Sequence, residues 1–489
     1  MIKVSKDQIL KRLSLENPWW VSPPMKPGVC DRFTPRPYHA LFFSLLKKTE
    51  KVRRAVVLLG PRRVGKTVLI HHVIGSLMDE GFLPKQIGYC SVDHPLYNGL
   101  SLEELIEYCA EVSGGDYKSR EAFLFFDEIQ YHREWETHLK SLVDTYPHMR
   151  LVVSGSAAAA LRLRSLESGA GRFTDFLLPP LTFYEYLSLL EADKKPIPEF
   201  GNEESDQGMF YSAKDITQVN DAFLNYLNYG GYPEVVLSEE IQRDPARFVK
   251  ADIIDKVLLR DLPSLYGIQD IQELNSLFTT LAYNTANEVT LEGLSQGSGV
   301  AKNTIKRYVE YLVASFLIRT VQRVDISARK FKRANFFKVY LTNPSIRSAL
   351  FSPVQADDEA IGHLVETAVF SQWFHSDYTQ LHYARWPEGE IDLVALARDQ
   401  KVLWAVEAKW SDRLYDRPHE MKNVISFCER NKLKEIIVTT RTEKGTITHK
   451  GIDFELIPSS EYCYTIGRNL IAGKKHITLS TKETVTSKP

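Results

Sequence analysis

Leu58-Leu59-Gly60-Pro61-Arg62-Arg63-Val64-Gly65-Lys66-Thr67 reads G-x-x-x-x-G-K-T, the spacing of a phosphate-binding P-loop. The apolar run Ala55-Val56-Val57-Leu58-Leu59 ahead of it predicts a short strand, and Val68 to Met78 behind it has helical character. Strand, glycine-rich turn and helix is the context this motif requires. Gly60 and Gly65 carry no Cβ, so backbone N–H groups can close around phosphate oxygens. A helix that starts at the loop turns its positive dipole end on the anion. In that geometry Lys66 meets the β- and γ-phosphates and the Thr67 hydroxyl ligates Mg2+. Gly60, Pro61, Arg62, Arg63, Val64, Gly65, Lys66, Thr67 and Val68 are the candidate nucleotide-binding residues, with ATP and Mg2+ as the expected ligands.

Further along, Ala122-Phe123-Leu124-Phe125-Phe126-Asp127-Glu128 is an apolar run that ends in two carboxylates. It reads as a buried parallel strand with a Walker B end. Asp127 is expected to hold Mg2+, directly or through water, and Glu128 to orient or deprotonate the attacking water. A chance loop match is the bland alternative for the first motif, and two motifs in the expected order on a suitable scaffold speak against it; a surface carboxylate accounts for Glu128 without chemistry.

At 489 residues the chain is too long for one hydrophobic core. A formal net charge of −1 gives no global sign of a nucleic-acid partner. The local distribution differs. Residues 301–340 hold ten Lys or Arg against Glu310 and Asp325 alone. That is either a basic patch or a solvated face with a positive excess. The cysteines, Cys30, Cys90, Cys109, Cys428 and Cys463, include no C-x-x-C pair, which argues against a zinc site and for free thiols in a reducing cytosol. Met1 to Leu13 lacks the apolar stretch of a signal peptide, and no apolar run approaches the ~18 residues of a membrane span. A cytoplasmic protein without membrane contact is the expectation.

Residues 1–35 read as an arm with Trp19 and Trp20 available for docking. A P-loop core over 36–189 alternates strands (Ile87 to Asp93, Arg150 to Ser156) with helices, including one whose start at Ser101 and Glu104 fits a capping box. Helices are also expected at Ala157 to Arg164, with a turn at Gly169-Ala170-Gly171-Arg172. Residues 190–217 read as a polar surface insertion or linker, and Gln218 to Tyr266 as a helical lid, giving a segment 190–265. Within 266–345, Leu291 to Leu294, a turn at Gly297-Ser298-Gly299, a helix Lys302 to Leu312 and a strand Phe316 to Val321 resemble a winged helix-turn-helix. Residues 346–489 form a second α/β block.

In that block a helix Ile361 to Phe374 carries Glu366, and two strands, Gly389 to Leu396 and Val402 to Lys409, predict a hairpin. Asp392 lies near the start of one strand; Glu407 and Lys409, two apart, face the same side of the other. Asp392 and Glu407 could supply hard oxygen ligands to Mg2+, Glu366 a further one, and Lys409 could stabilise charge on a phosphate. A surface salt bridge accounts for the same residues without chemistry.

The D…E-x-K pattern of Asp392, Glu407 and Lys409 resembles that of the PD-(D/E)XK nuclease superfamily. The chain from about Tyr38 to about Pro458 is similar to prokaryotic AAA-type P-loop ATPases with a C-terminal domain of unknown function that ends in a nuclease-like fold. The likeness rests on the P-loop, Phe126-Asp127-Glu128-Ile129-Gln130, Trp135, Ser154-Gly155-Ser156, Ala170-Gly171-Arg172, Pro180 to Glu185, Gly231-Tyr232-Pro233-Glu234, Arg260-Asp261, Lys338 to Leu341, and the D…E-x-K residues. The resemblance implies that Ser154 is a sensor of the γ-phosphate. It makes Arg172 an arginine near the nucleotide, a finger in trans or a sensor in cis. The fold class that follows is α/β: an AAA-type core, a helical lid, a winged-helix-like domain and a nuclease-like domain. Two functions fit it. One is an ATP-hydrolysing switch that engages DNA, with metal-dependent cleavage open to it. The other is an ATP-dependent scaffold, with an inert nuclease-like fold, that binds protein partners. Homo-oligomers suit either.

Overall fold

Apolar runs that alternate with helices bury both faces of a strand, and the first part of the chain shows the consequence. β1 (Ala55–Leu59), β2 (Ile87–Ser91), β3 (Ala122–Asp127), β4 (Met149–Gly155) and β5 (Phe173–Leu177) pair in parallel in the order β2-β3-β4-β1-β5. Every residue of β1 and β3 is buried. The computed structural model describes residues 5–48, 54–118, 120–156, 171–205, 208–330, 336–375 and 380–473. The chain divides into two compact units, Met1–Leu178 and Pro179–Pro489. The helix expected at 157–164, Gly169 and Ala170 of the expected turn, and Lys332 and Arg333 of the basic stretch lie outside the described residues. No helix among the described residues is long and apolar enough to cross a membrane.

The expected capping box is present: Ser101 Oγ accepts from Glu104 N at 3.2 Å, and Glu104 Oε2 accepts from Ser101 N at 2.8 Å. The N-terminal arm folds as a helix, Lys6–Glu16, followed by a docked turn. β2 is an edge strand, whose unpaired backbone groups need partners. The arm supplies them. Asn17 Nδ2 donates to Tyr89 O and Tyr89 N donates to Asn17 Oδ1, both at 2.8 Å, so one side-chain amide acts as the neighbouring peptide. The indoles of Trp19 and Trp20 both donate to Ile87 O, at 2.9 and 2.8 Å.

The second unit is built on a nine-stranded mixed sheet in the order β15-β16-β14-β13-β12-β11-β9-β10-β8. Its strands are β8 (Glu288–Thr290), β9 (Ile318–Val324), β10 (Phe336–Leu341), β11 (Gln380–Trp386), β12 (Gly389–Leu396), β13 (Val402–Glu407), β14 (Glu435–Thr440), β15 (Gly445–His449) and β16 (Ile452–Pro458). β12 and β13 form an antiparallel pair, with Leu393 opposite Val406. The expected boundary between residues 345 and 346 runs through this sheet, because β9 pairs in parallel with β11 through His382 opposite Gln322. One core joins Val321 and Tyr340 to Val365, Leu393 and Val406.

Residues 190–217 also differ from a linker. They contain a hairpin of β6 (Phe200–Ser205) and β7 (Gly208–Ala213). Tyr211 N donates to Thr465 Oγ1 at 3.2 Å, and Ala213 N to Glu461 Oε1 at 2.7 Å. Phe200 stacks on Tyr464 with centroids 3.8 Å apart. The few aromatic residues in a polar stretch thus seat the hairpin on the C-terminal helix Ser459–Ile471. Ile216–Tyr229, Pro233–Leu237 and Glu239–Arg243 are α-helical, whereas Ala246–Asp255 and Val257–Asp261 take the wider π winding.

Candidate nucleotide site and carboxylate cluster

The loop after β1 leads into the helix Lys66–Asp79, whose N-terminal cap is Gly65 at φ 92°. A side chain is strained at that angle, and a Cβ there would meet nothing within 4 Å, so the position is open toward the loop's outer face. Gly60 is required for a different reason. A Cβ on it would run into the carbonyl of Leu178, the residue that follows β5 and donates through its N–H to Leu59 O at 2.7 Å. Arg36, buried, donates to Val64 O at 2.8 Å and pins the loop from the arm side. Lys66 is buried, and its ammonium donates to Gly60 O at 3.1 Å and Pro61 O at 2.9 Å. Pro61, Arg62, Arg63 and Val64 complete the turn, with Arg63 at φ 65°, and Thr67 and Val68 lie in the first turn of the helix.

Parallel pairing places the end of β3 beside the loop. Thr67 Oγ1 donates to Asp127 Oδ2 at 2.6 Å. Ser154, at the end of β4, donates its hydroxyl to Asp127 Oδ1 and accepts from Glu128 N at 3.2 Å. Its hydroxyl is therefore spent on the Walker B carboxylate and the adjacent backbone. Glu128 stands at φ 55°, which swings its side chain out of the strand line, and its carboxylate accepts from Gln130 Nε2. The fit to a nucleotide with Mg2+ rests on this donor set. A hydroxyl and a carboxylate, both hard oxygen donors, share one point at the start of a helix, next to a buried ammonium.

Sequence reasoning did not find Tyr89. Its hydroxyl donates to Asp127 Oδ2 at 2.9 Å from the neighbouring strand β2. Burial, together with the charge of Asp127, pushes this phenol well above its ordinary pKa, so it stays a donor. No local motif marks it; a tyrosine in an apolar strand reads as core.

Arg172 is a correction for a sensor in cis. Its carbonyl accepts from Ala55 N at 2.9 Å, at the start of β1, while the loop follows the end of β1. Five residues of strand, roughly 3.3 Å each, separate the two. The guanidinium instead pairs with Asp144 at 3.2 Å, both side chains partly exposed.

In the second unit Glu366, Asp392, Glu407 and Lys409 do converge, around an ammonium that the sequence pattern does not assign to them. Lys338 of β10 lies 2.8 Å from Glu366 Oε1 and 3.1 Å from Asp392 Oδ1, and also pairs with Glu390. Lys409 lies 2.7 Å from Glu407 Oε1 and 3.6 Å from Asp392 Oδ2. Ala408 N donates to Asp392 Oδ2 at 3.0 Å, and Tyr340 OH to Glu366 Oε1 at 2.6 Å. Burial and then the charge of Asp392 raise the pKa of both Glu366 and Glu407. Burial works to raise Asp392 too, but Lys409 and Lys338 outweigh it and hold that carboxyl below its ordinary range. Burial works to lower Lys338, but Tyr340, Glu366 and Asp392 outweigh it and keep the ammonium charged.

A nuclease-type metal does not fit this arrangement. The oxygens of Glu366 and Asp392 that would face it already face Lys338. Among the described residues no group of three or more His, Cys, Asp or Glu side chains is placed to hold a metal ion. This corrects the expectation of a metal site at Glu366, Asp392 and Glu407. It also corrects the basic stretch, since Lys338 is 3 % exposed and belongs to the interior.

The expected turn moves as well. The helix Leu291–Ser298 runs through Gly297 and Ser298, and Ser298 Oγ donates back to Leu294 O at 2.7 Å. It stops only at Gly299, left-handed at φ 73°. The next helix is Lys302–Ala314, with Lys302, Lys306 and Arg307 exposed.

The parallel sheet, the loop after β1 and the Asp127 carboxylate beside it form an α/β core typical of P-loop AAA-type ATPases, and residues 52–187 match the family model of an AAA domain. Residues 220–357 match a domain of unknown function. An uncharacterized protein of Haemophilus influenzae is 22% identical over 399 residues, 80% of this chain and 90% of that protein. Two uncharacterized proteins of Methanocaldococcus jannaschii are similar. One is 26% identical, covering 68% of this chain and 70% of its own length; the other is 22% identical, covering 71% and 73%. Among solved structures, Aeropyrum pernix ORC1 in complex with DNA has a TM-score of 0.29 at 13% identity, over 64% of this chain and 91% of that one. A Thermotoga maritima RuvB variant has 0.26 at 20%, over 57% and 86%.

Proposed function

We propose that this chain is an ATP-hydrolysing switch that engages DNA through its second unit. The observation that carries the first half is the convergence of Thr67, Tyr89 and Ser154 on Asp127, beside the loop that holds Lys66. Bound Mg2+ would neutralise charge on the β- and γ-phosphates. Thr67 and Asp127 would hold it. Lys66 would turn its ammonium from the loop carbonyls to phosphate oxygens, the loop N–H groups would fix the phosphates, and Glu128 would take a proton from the attacking water. Tyr89 fixes the Asp127 carboxylate. Tyr89→Phe should lower kcat for ATP about tenfold, the size expected for one hydrogen bond to a charged group. Steady-state hydrolysis measured against Mg2+ concentration checks this. An unchanged kcat with unchanged Mg2+ dependence would reduce Tyr89 to a packing residue. Arg172 is a candidate finger only toward the nucleotide of a second copy.

The DNA half is supported by the two helices Leu291–Ser298 and Lys302–Ala314, joined by a tight turn and followed by β9 and β10, a winged helix-turn-helix order. Lys302 pairs with Glu292 at 2.8 Å and Lys306 with Glu310 at 3.9 Å, on exposed surface, where such pairs are weak and would yield to phosphates. Replacing Lys302, Lys306 and Arg307 together by alanine should reduce the steepness of log affinity against log salt by about 0.9 for each phosphate that is no longer neutralised. An unchanged slope, or no duplex binding by the parent, turns the reading to the second one. That reading is an ATP-driven module that contacts protein partners, with the nuclease-like fold chemically inert. Lys338 in the carboxylate cluster favours inertness over cleavage.

A further inference from the structure

The second unit brings four carboxyl groups into a small volume: Glu366, Glu390, Asp392 and Glu407. Such a set is tolerated only with cations inside it. A divalent metal would need several of these oxygens at about 2.0–2.6 Å. Lys338 comes from a different strand from any of them, and its ammonium meets Glu366 Oε1 at 2.8 Å and Asp392 Oδ1 at 3.1 Å while also pairing with Glu390. It is 3 % exposed, so it is built in rather than laid over the cluster. Tyr383 flanks the ammonium with its ring centroid 5.4 Å away. One oxygen is left over: Glu407 Oε2 is buried and has no hydrogen-bond partner. A single such oxygen does not make a metal site.

We propose that Lys338 is the resident cation of this cluster: its ammonium takes the place at which Glu366 and Asp392 would hold a divalent metal, and it excludes that metal from the native chain. The inference rests on the inert-cluster reading above and not on the nucleotide site. Its test uses no nucleotide, so its failure is distinct from failure of the ATP-switch reading.

The measurement is Mn2+ binding to the full chain by calorimetry and by the Mn2+ spin-resonance signal. The parent and Asp392→Asn should give the same isotherm, any weak binding at the P-loop being common to both. Lys338→Met should gain a site at least about tenfold tighter than any in the parent, as ligand charge is released, and the Lys338→Met/Asp392→Asn double variant should lose it. Asp392-dependent Mn2+ binding by the parent would overturn the proposal. So would a folded Lys338→Met chain that binds no more Mn2+ than the parent. Should Lys338→Met fail to fold, the comparison of the parent with Asp392→Asn decides alone.

Discussion

Lys66→Ala is expected to weaken ATP binding and to cut turnover by about 100- to 1,000-fold, the loss that follows removal of one preorganised donor from a charge-stabilising site. The side chain is buried beneath the loop, and its ammonium is already held at the carbonyls of Gly60 and Pro61, one short movement from the phosphate position. Alanine removes the cation and leaves the Thr67–Asp127 hydrogen bond intact, so the loop should keep its shape. Nucleotide affinity and steady-state hydrolysis, measured on the same preparation, report the two effects separately. Binding and turnover at the parent level would mean that the loop is not a phosphate site.

Glu128→Gln should act differently: affinity for ATP retained, hydrolysis slowed by about 10²- to 10⁴-fold, the range for loss of a general base. Geometry favours so clean a separation. The left-handed backbone at Glu128 is held from its N–H, which donates to Asp127 Oδ1 at 3.2 Å and to Ser154 Oγ at 3.2 Å. Among the described residues the side chain's hydrogen-bond partner is a donor, Gln130 Nε2, which an amide oxygen can also accept from. Glutamine should thus sit in place and lack only basicity. Single-turnover hydrolysis alongside equilibrium binding makes the comparison. Undiminished hydrolysis would remove Glu128 from water activation, and abolished binding would make it a structural residue.

What the amino-acid sequence showed without help was whatever closes over a few residues. The glycine spacing of 60–67, the strand that ends in Asp127 and Glu128, and the Ser101–Glu104 capping box are each a local arrangement, in which backbone geometry and side-chain chemistry meet within one turn. The Glu407–Lys409 pair belongs here too, since its members are two residues apart in the chain, although the strand expected to run to Lys409 ends at Glu407.

The missed features all depend on which strands become neighbours. Tyr89 reaches Asp127 across 38 residues, Asn17 reaches Tyr89 across 72, and Lys338 reaches Asp392 across 54. Strand order is set by burial summed over whole faces, so no window of sequence contains it. Arg172 was placed near the nucleotide by resemblance alone; parallel pairing sets it beside the start of β1, at the other end of that strand from the loop. Lys338 shows the point most sharply. In sequence it was one of ten basic residues in a stretch read as a surface. The alternation of β10 turned it inward, beneath the carboxylates of Glu366 and Asp392, where a buried charge is stable only because opposite charges surround it. The residue types that set the chemistry were legible in the chain; whether they act as ligands, counter-ions or edge caps was decided by the sheet that brought them together.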